Sequence, residues 1–327
     1  MFANDKSFFR AGALLAQTCI CVLFAMTYVS LATAQSEPAE LEGVPIDSAT
    51  QLVNGIKIHY ITAGHGPVVV LLHGYPETWY AWRKIIPKLA DRYTLVAPDM
   101  RGLGESGRPA DGDYTKKSVS EDIYQLVVKL GYKQVSVVGQ DMGGPVAIAF
   151  AAFHPDAVKN VVFIESGVPG EGLEEAMDTA HGGSWHFGFF ASPDIPEMLT
   201  RGREKEFFTA WAFQGEFVRH KEAFPPNVIA EYVRHYSAPG GMTAGFGYYR
   251  AFVQDAKDNT VIFSKSKLMM PVLAVGADHS FGEFTAKNAR NVATHVESVI
   301  IEDCGHFVDE EQPEALAKVL LAFLGRP

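Results

Sequence analysis

The five residues Gly139, Gln140, Asp141, Met142 and Gly143 follow an apolar run holding Val135, Val137 and Val138, and lead into a largely apolar stretch that reaches Phe153. Small residues on either side of one exposed side chain, between a buried strand and a helix, are what a sharp strand-turn-helix elbow requires. The segment therefore demands a sheet with helices packed on it. It presents residue 141 at the carboxyl edge of that sheet, and residue 141 is an aspartate. A serine there would attack acyl carbon. A carboxylate, with a reference pKa of about 3.9, is anionic at neutral pH and needs no base to attack. It suits alkylation at saturated carbon, and the product is an ester on Asp141 that water must later hydrolyse.

The rest of the chain supplies such a sheet. Short apolar runs of the kind buried in parallel sheets are expected as strands over 55–63, 68–72, 93–97, 135–138, 158–164, 271–275 and 297–301, with helices over 79–89, 118–130 and 313–324. Alternating strands and helices indicate an α/β fold, a mostly parallel sheet with helices on both faces. The alternation stops after Glu165: from 168 to 258 the chain is rich in aromatics and turn breakers, among them Trp185, Phe189, Trp211 and the Pro225-Pro226 pair. This reads as a helical lid, interrupting a core made of 49–167 and 259–327. Residues 35–48 lack apolar periodicity and are expected to form a flexible lead-in.

Ahead of them, Lys6 and Arg10 precede an apolar stretch, and Ala32-Thr33-Ala34 has the small-x-small pattern of a signal peptidase site. Residues 1–34 are therefore expected to be a cleaved export signal, leaving a periplasmic or secreted protein without stable membrane insertion. The 327 residues carry a formal charge of −10, which argues against nucleic acid as a partner. Of three cysteines only Cys304 lies beyond the signal, so no internal disulfide is possible there.

Two further segments carry chemistry. His73-Gly74-Tyr75-Pro76 directly follows the run over 68–72, where a loop beside an elbow can offer a backbone N–H. With the residue after the nucleophile, this makes Tyr75 and Met142 the expected oxyanion hole, aimed where charge develops during ester hydrolysis. Cys304-Gly305-His306-Phe307 follows the last strand, at the same sheet edge as the elbow, and makes His306 the expected general base for water. An acid must hold its imidazole. Glu165 and Asp278 both follow strands that end near it, and their positions alone do not separate them. In the lid, Trp185-His186-Phe187 and Tyr248-Tyr249-Arg250 bring ring donors to an apolar insertion, able to meet an alkoxide that leaves an opening epoxide. No step needs a metal or an organic cofactor.

Together His-Gly-Tyr-Pro, Gly-Gln-Asp-Met-Gly-Gly, Tyr-Tyr-Arg and Cys-Gly-His resemble the epoxide hydrolases of the α/β-hydrolase fold, over essentially the whole chain from about residue 50. Within them Trp185-His186-Phe187-Gly188-Phe189-Phe190, Phe246 and the exported N-terminus are most similar to the secreted bacterial Cif-type group. The resemblance implies His186 and Tyr249 as the ring-opening pair, with Tyr248 the other phenol, and Glu165 over Asp278 as the acid. The lid aromatics point to an apolar pocket and so to a small apolar epoxide as substrate, and a homodimer through the lid is compatible with the chain. The sequence departs from the group at Gln140, where a histidine is usual, at Asp278, and in lacking the second cysteine of a C-terminal disulfide.

Two other activities fit parts of the pattern. A dehalogenase would use the same Asp141, but the helix after the elbow has no arginine to hold a haloacetate, and Met142 replaces the indole that a haloalkane enzyme uses for halide. An exported binding protein would need no nucleophile, base and acid at all.

Overall fold

The computed structural model describes residues 39–326, so the expected signal at 1–34 lies outside the described residues. Nine strands form one sheet there: β1 (Glu40–Leu41), β2 (Val44–Val53), β3 (Ile56–Gly64), β4 (Val68–Leu72), β5 (Thr94–Pro98), β6 (Val135–Gln140), β7 (Val158–Ile164), β8 (Val272–Ala277) and β9 (Val296–Ile301). Their order is β1-β2-β3-β5-β4-β6-β7-β8-β9. The pairs β1·β2, β2·β3 and β3·β5 are antiparallel, and every pair from β5·β4 to β8·β9 is parallel.

Strand residues alternate between two cores, as the pleat requires. Val70, Leu72, Val137, Val161 and Phe163 join the helices Lys116–Lys129, Gly143–Phe153 and Glu283–Val292 on one face. Val69, Leu71, Val138, Val162 and Ile164 face Trp82, Leu89 and the helix Pro313–Leu324 on the other. Both faces are covered, which is why these strands read as continuous apolar runs. Each fully buried aliphatic side chain contributes about 1.5–3 kcal/mol.

The start of the fold corrects the expected lead-in. From Glu40 onward it is paired: Leu41 lies opposite Val44, and β2 runs beside β3 from Ile46 opposite Ala63 to Val53 opposite Ile56. Its strand pattern is hidden because Pro45, Asp47 and Ser48 are exposed near the sheet edge, while the backbone still pairs. The expected helix over 79–89 divides into a 3-10 segment, Trp79–Lys84, and a short helix, Ile86–Leu89, where Pro87 has no N–H to continue the first. Between β7 and β8 the chain leaves the sheet for helices that include His186–Ala191, Glu204–Phe208, Pro226–Tyr236, Gly241–Arg250 and Phe252–Phe263. The last runs past the expected lid boundary at 258, and the sheet resumes only at Val272.

Candidate active site

The elbow forms where β6 meets the helix Gly143–Phe153. A Cβ on Gly139 would stand 2.2 Å from Gly143 O, and one on Gly143 would stand 2.3 Å from Leu72 O, so glycine is required at both for strand and helix to approach. Asp141 is held at φ +46°, in the left-handed region, at a cost of about 1–3 kcal/mol. Its backbone is pinned on both sides: its N–H donates to Ile164 O at 3.0 Å, and Ser166 Oγ donates to its carbonyl at 2.6 Å. Strain held in this way projects the carboxyl group out of the sheet edge.

Two segments converge on that carboxyl group. Tyr75 N–H donates to Asp141 Oδ1 at 2.8 Å, from the loop after β4, where the Tyr75–Pro76 peptide is cis. His306 Nε2 lies 3.3 Å from Asp141 Oδ2. Met142 immediately precedes the helix, so its N–H is among the first-turn donors that have no intrahelical acceptor.

The two candidate acids are separated by geometry. Glu165, fully buried and also at positive φ (+46°), brings Oε2 to 3.1 Å from His306 Nδ1. Its oxygens also accept from Ala277 N–H at 2.6 Å and Phe281 N–H at 3.2 Å, which fixes its orientation. Asp278 instead accepts from Asp303 N–H at 2.9 Å and Cys304 N–H at 3.0 Å. It anchors the loop that carries His306 and does not touch the ring. Burial alone would lower the His306 pKa, but hydrogen bonds and charge from Asp141 and Glu165 outweigh it and raise it to about 10. The imidazole is thus cationic at neutral pH while both carboxylates face it.

The lid closes over this cluster. His186, Tyr249, Trp211, Phe217 and Phe281 line a cavity of about 30 Å³ above Asp141, room for a water molecule or two. Entry of any larger molecule therefore requires lid side chains to move. The His186 and Tyr249 rings lie with centroids 5.9 Å apart in an edge arrangement. Burial pushes the His186 imidazole down to about 4 against the pull of the Asp141 charge, and His186 Nδ1 is buried with no partner. Burial, reinforced by Asp141, pushes the Tyr249 phenol well above its ordinary value. At neutral pH the two are an uncharged ring N–H and a protonated phenol, both able to donate. Tyr248 turns the other way, its hydroxyl donating to Arg101 O at 2.9 Å in a fully buried position outside the cavity. A broader cleft of about 810 Å³ beside β2 and β3 brings no nucleophile and base together.

Sequence reasoning missed the burial of Glu77, Gln140 and Asp309 beneath these residues. Glu77, Gln140 and Asp309 are fully buried, and His59 pairs with Asp99 at 2.8 Å under the loop after β5. Charged residues scattered along a chain carry no signal of mutual burial. Cys304 is a free buried thiol, and among the described residues no cluster of side chains has the makings of a metal site. Nor is any described helix long and apolar enough to cross a membrane.

Comparison with known proteins gives the same frame. Residues 67–313 match the family model described as alpha/beta hydrolase fold. The soluble epoxide hydrolase of Corynebacterium sp. (strain C12) is 35% identical over 285 residues, covering 83% of this chain and 95% of that one. Among solved structures, Cfl2 from Burkholderia cenocepacia superposes with a TM-score of 0.79 at 33% identity, over 85% of this chain and 95% of its own. The Cif epoxide hydrolase from Acinetobacter nosocomialis does so with a TM-score of 0.79 at 27% identity, over 85% and 89%.

Proposed function

The chain belongs to the α/β-hydrolase fold family, and within it we propose that it hydrolyses epoxides to vicinal diols through an ester on Asp141. The Asp141 carboxylate attacks a ring carbon and displaces the C–O bond. His186 and Tyr249 donate hydrogen bonds to the departing oxygen, which takes the Tyr249 proton. With the Asp141 charge lost to the ester, His306 gives up its own proton, which restores the Tyr249 phenol, and, oriented by Glu165, it then removes a proton from water. That water adds to the Asp141 carbonyl carbon, with charge on the carbonyl oxygen met by the Tyr75 and Met142 N–H groups. Collapse of the adduct passes its hydroxyl proton to the departing oxygen, which releases the diol and restores the Asp141 carboxylate beside a protonated His306.

The observation that carries this reading is the pair of uncharged donor rings sharing one cavity with a carboxylate nucleophile. An alkoxide needs a proton to leave, and a halide does not. The epoxide hydrolases and Cif-type neighbours support the same chemistry. The apolar lining favours a small apolar epoxide. Export through residues 1–34 is part of the proposal, supported by the signal-like N-terminus and by likeness to the Cif-type group.

The test is to trap the ester. His306→Gln keeps the nucleophile and removes the base. After incubation with a small apolar epoxide, its intact mass should rise by the mass of one epoxide, and the Asp141→Asn, His306→Gln double variant should show no rise. An unmodified mass across an epoxide panel, with halide released from a bromoalkane or a haloacetate by the wild type, would replace this reading with dehalogenation.

A further inference from the structure

The three buried polar side chains beneath the site each stand on a segment that carries a working part. Glu77 Oε2 accepts from Gly74 N–H at 3.1 Å, one residue before the Tyr75 N–H that holds Asp141. Gln140, next to the nucleophile, donates from Nε2 to Asp309 Oδ1 at 2.8 Å and reaches the His306 carbonyl at 3.5 Å. Asp309 lies three residues beyond His306 on the short helix Val308–Glu311. Yet each also keeps one buried oxygen with no donor: Glu77 Oε1, Gln140 Oε1 and Asp309 Oδ2. Orphaned acceptors at this depth are costly, whereas a carboxyl group that keeps its proton becomes a donor.

Neighbouring charges favour that outcome. The cations nearest Asp309 and Glu77 are committed to Glu310, which takes Arg83 Nη2 at 2.8 Å and Lys84 Nζ at 2.8 Å and accepts from Tyr232 at 2.6 Å. What else faces the two groups is Asp141 on the cavity side, the Cys304 thiol beside Asp309, the Tyr232 phenol, and the Tyr236 hydroxyl, which donates to the Glu77 carbonyl at 2.8 Å. A histidine at position 140 could carry a compensating charge, but Gln140 is neutral.

We propose that Glu77 and Asp309 retain one proton between them, and that this half-protonated clamp, with Gln140, positions the oxyanion loop, the elbow and the histidine loop on one another. Glu77 and Asp309 are positioning residues: neither lines the cavity. Burial first, then the Glu310 charge, pushes the Asp309 carboxyl up to about 7, and burial followed by Asp309 pushes Glu77 well above the carboxylate range. The clamp is intact below neutrality. As pH rises past it, a second carboxylate appears under Gly74 and Gln140 and loosens all three segments.

The kinetic arm of the test rests on the epoxide-hydrolase reading; the spectroscopic arm does not. Asp309→Asn supplies a permanent neutral donor and acceptor. Its kcat for an epoxide should match wild type at mildly acidic pH and exceed it several-fold in alkali, whereas Asp309→Ala should lose kcat at every pH. Infrared difference spectra of the wild type between acidic and alkaline pH should show a protonated-carboxyl band that vanishes in Asp309→Asn or Glu77→Gln. Should Asp309→Asn not fold, Glu77→Gln carries the same kinetic comparison. No such band in the wild type, or a ratio of kcat values independent of pH, overturns the inference. A chain that turns over no epoxide would fail the functional reading while leaving the band to decide this one.

Discussion

His306 Nε2 stands 3.3 Å from Asp141 Oδ2, so the proposed base is paired with the proposed nucleophile before any reaction begins. With Glu165 on its other nitrogen the imidazole sits between two carboxylates, which hold its proton to about pH 10. A protonated histidine cannot take a proton from water. The proposed alkylation would resolve this, because an ester on Asp141 carries no charge and one of the two holding interactions is lost. In the proposed mechanism, formation of the ester itself therefore releases the base for the second step.

The first prediction follows from that pairing. In an NMR titration the His306 ring should titrate near pH 10 in the wild type and well below that in Asp141→Asn, which imitates the uncharged ester. The stability sign is that of a raised pKa: the contribution is complete below about 6.5, the unfolded value, and is lost as pH rises through the folded value. The melting advantage of the wild type attributable to this pair should accordingly fade as pH approaches 10. Identical titration of His306 in the two proteins would refute the coupling.

A second prediction separates the two acids. Glu165→Gln removes the carboxylate on His306 Nδ1 and should lower kcat by about 10²–10⁴ through slow ester hydrolysis, the range for general base catalysis. Asp278→Asn should leave kcat within a few-fold. It should destabilise the fold by about 1–3 kcal/mol, because Asp303 and Cys304 N–H lose a charged acceptor. Steady-state kinetics and chemical denaturation on the same two variants decide the assignment.

The third prediction concerns adjacent tyrosines on one helix. Tyr249→Phe should slow ester formation by about 10²–10³, the usual cost of removing one donor to a developing oxyanion, without trapping ester. Tyr248→Phe should leave ester formation unchanged and cost about 1 kcal/mol of stability, since its hydroxyl serves Arg101 O. Single-turnover kinetics distinguish them. Equal effects from both substitutions would remove Tyr249 from the ring-opening step.

Which parts of this were legible in the sequence depends on what each residue's signal rests on. The strands 68–72 and 158–164 are continuous apolar runs buried on both faces, and they stand in the structure at those bounds. Strand β2 was illegible because, next to the sheet edge, it places Asp47 and Ser48 in solvent and leaves mainly the backbone to identify it. The elbow was legible because steric exclusion at Gly139 and Gly143 is local. The choice between Glu165 and Asp278 was not: both follow strands, and only three-dimensional placement shows one on the ring and the other on the loop. Gln140 and Asp309 lie 169 residues apart, and nothing in either neighbourhood announces the other.

The last prediction uses the lid's grip on the oxyanion loop. A Cβ on Gly245 would stand 2.2 Å from Tyr75 Cε2, and the Tyr75 ring cannot retreat, because Phe190, Phe208, Tyr236 and Tyr249 surround it with centroids within 5.9 Å. Gly245→Ala must therefore push on the residue whose N–H holds Asp141 Oδ1. Overpacking of this kind costs about 1–3 kcal/mol of stability. A shift of about 1 Å at the donor costs about 10²-fold in rate. Gly188→Ala is the matched control: no atom lies within 4 Å of its Cβ position, and it stands on the same short helix as His186. That control should keep full activity and gain about 1 kcal/mol from helix propensity. If Gly245→Ala instead retains wild-type kcat while melting lower, the lid packs against Tyr75 without governing the position of its N–H.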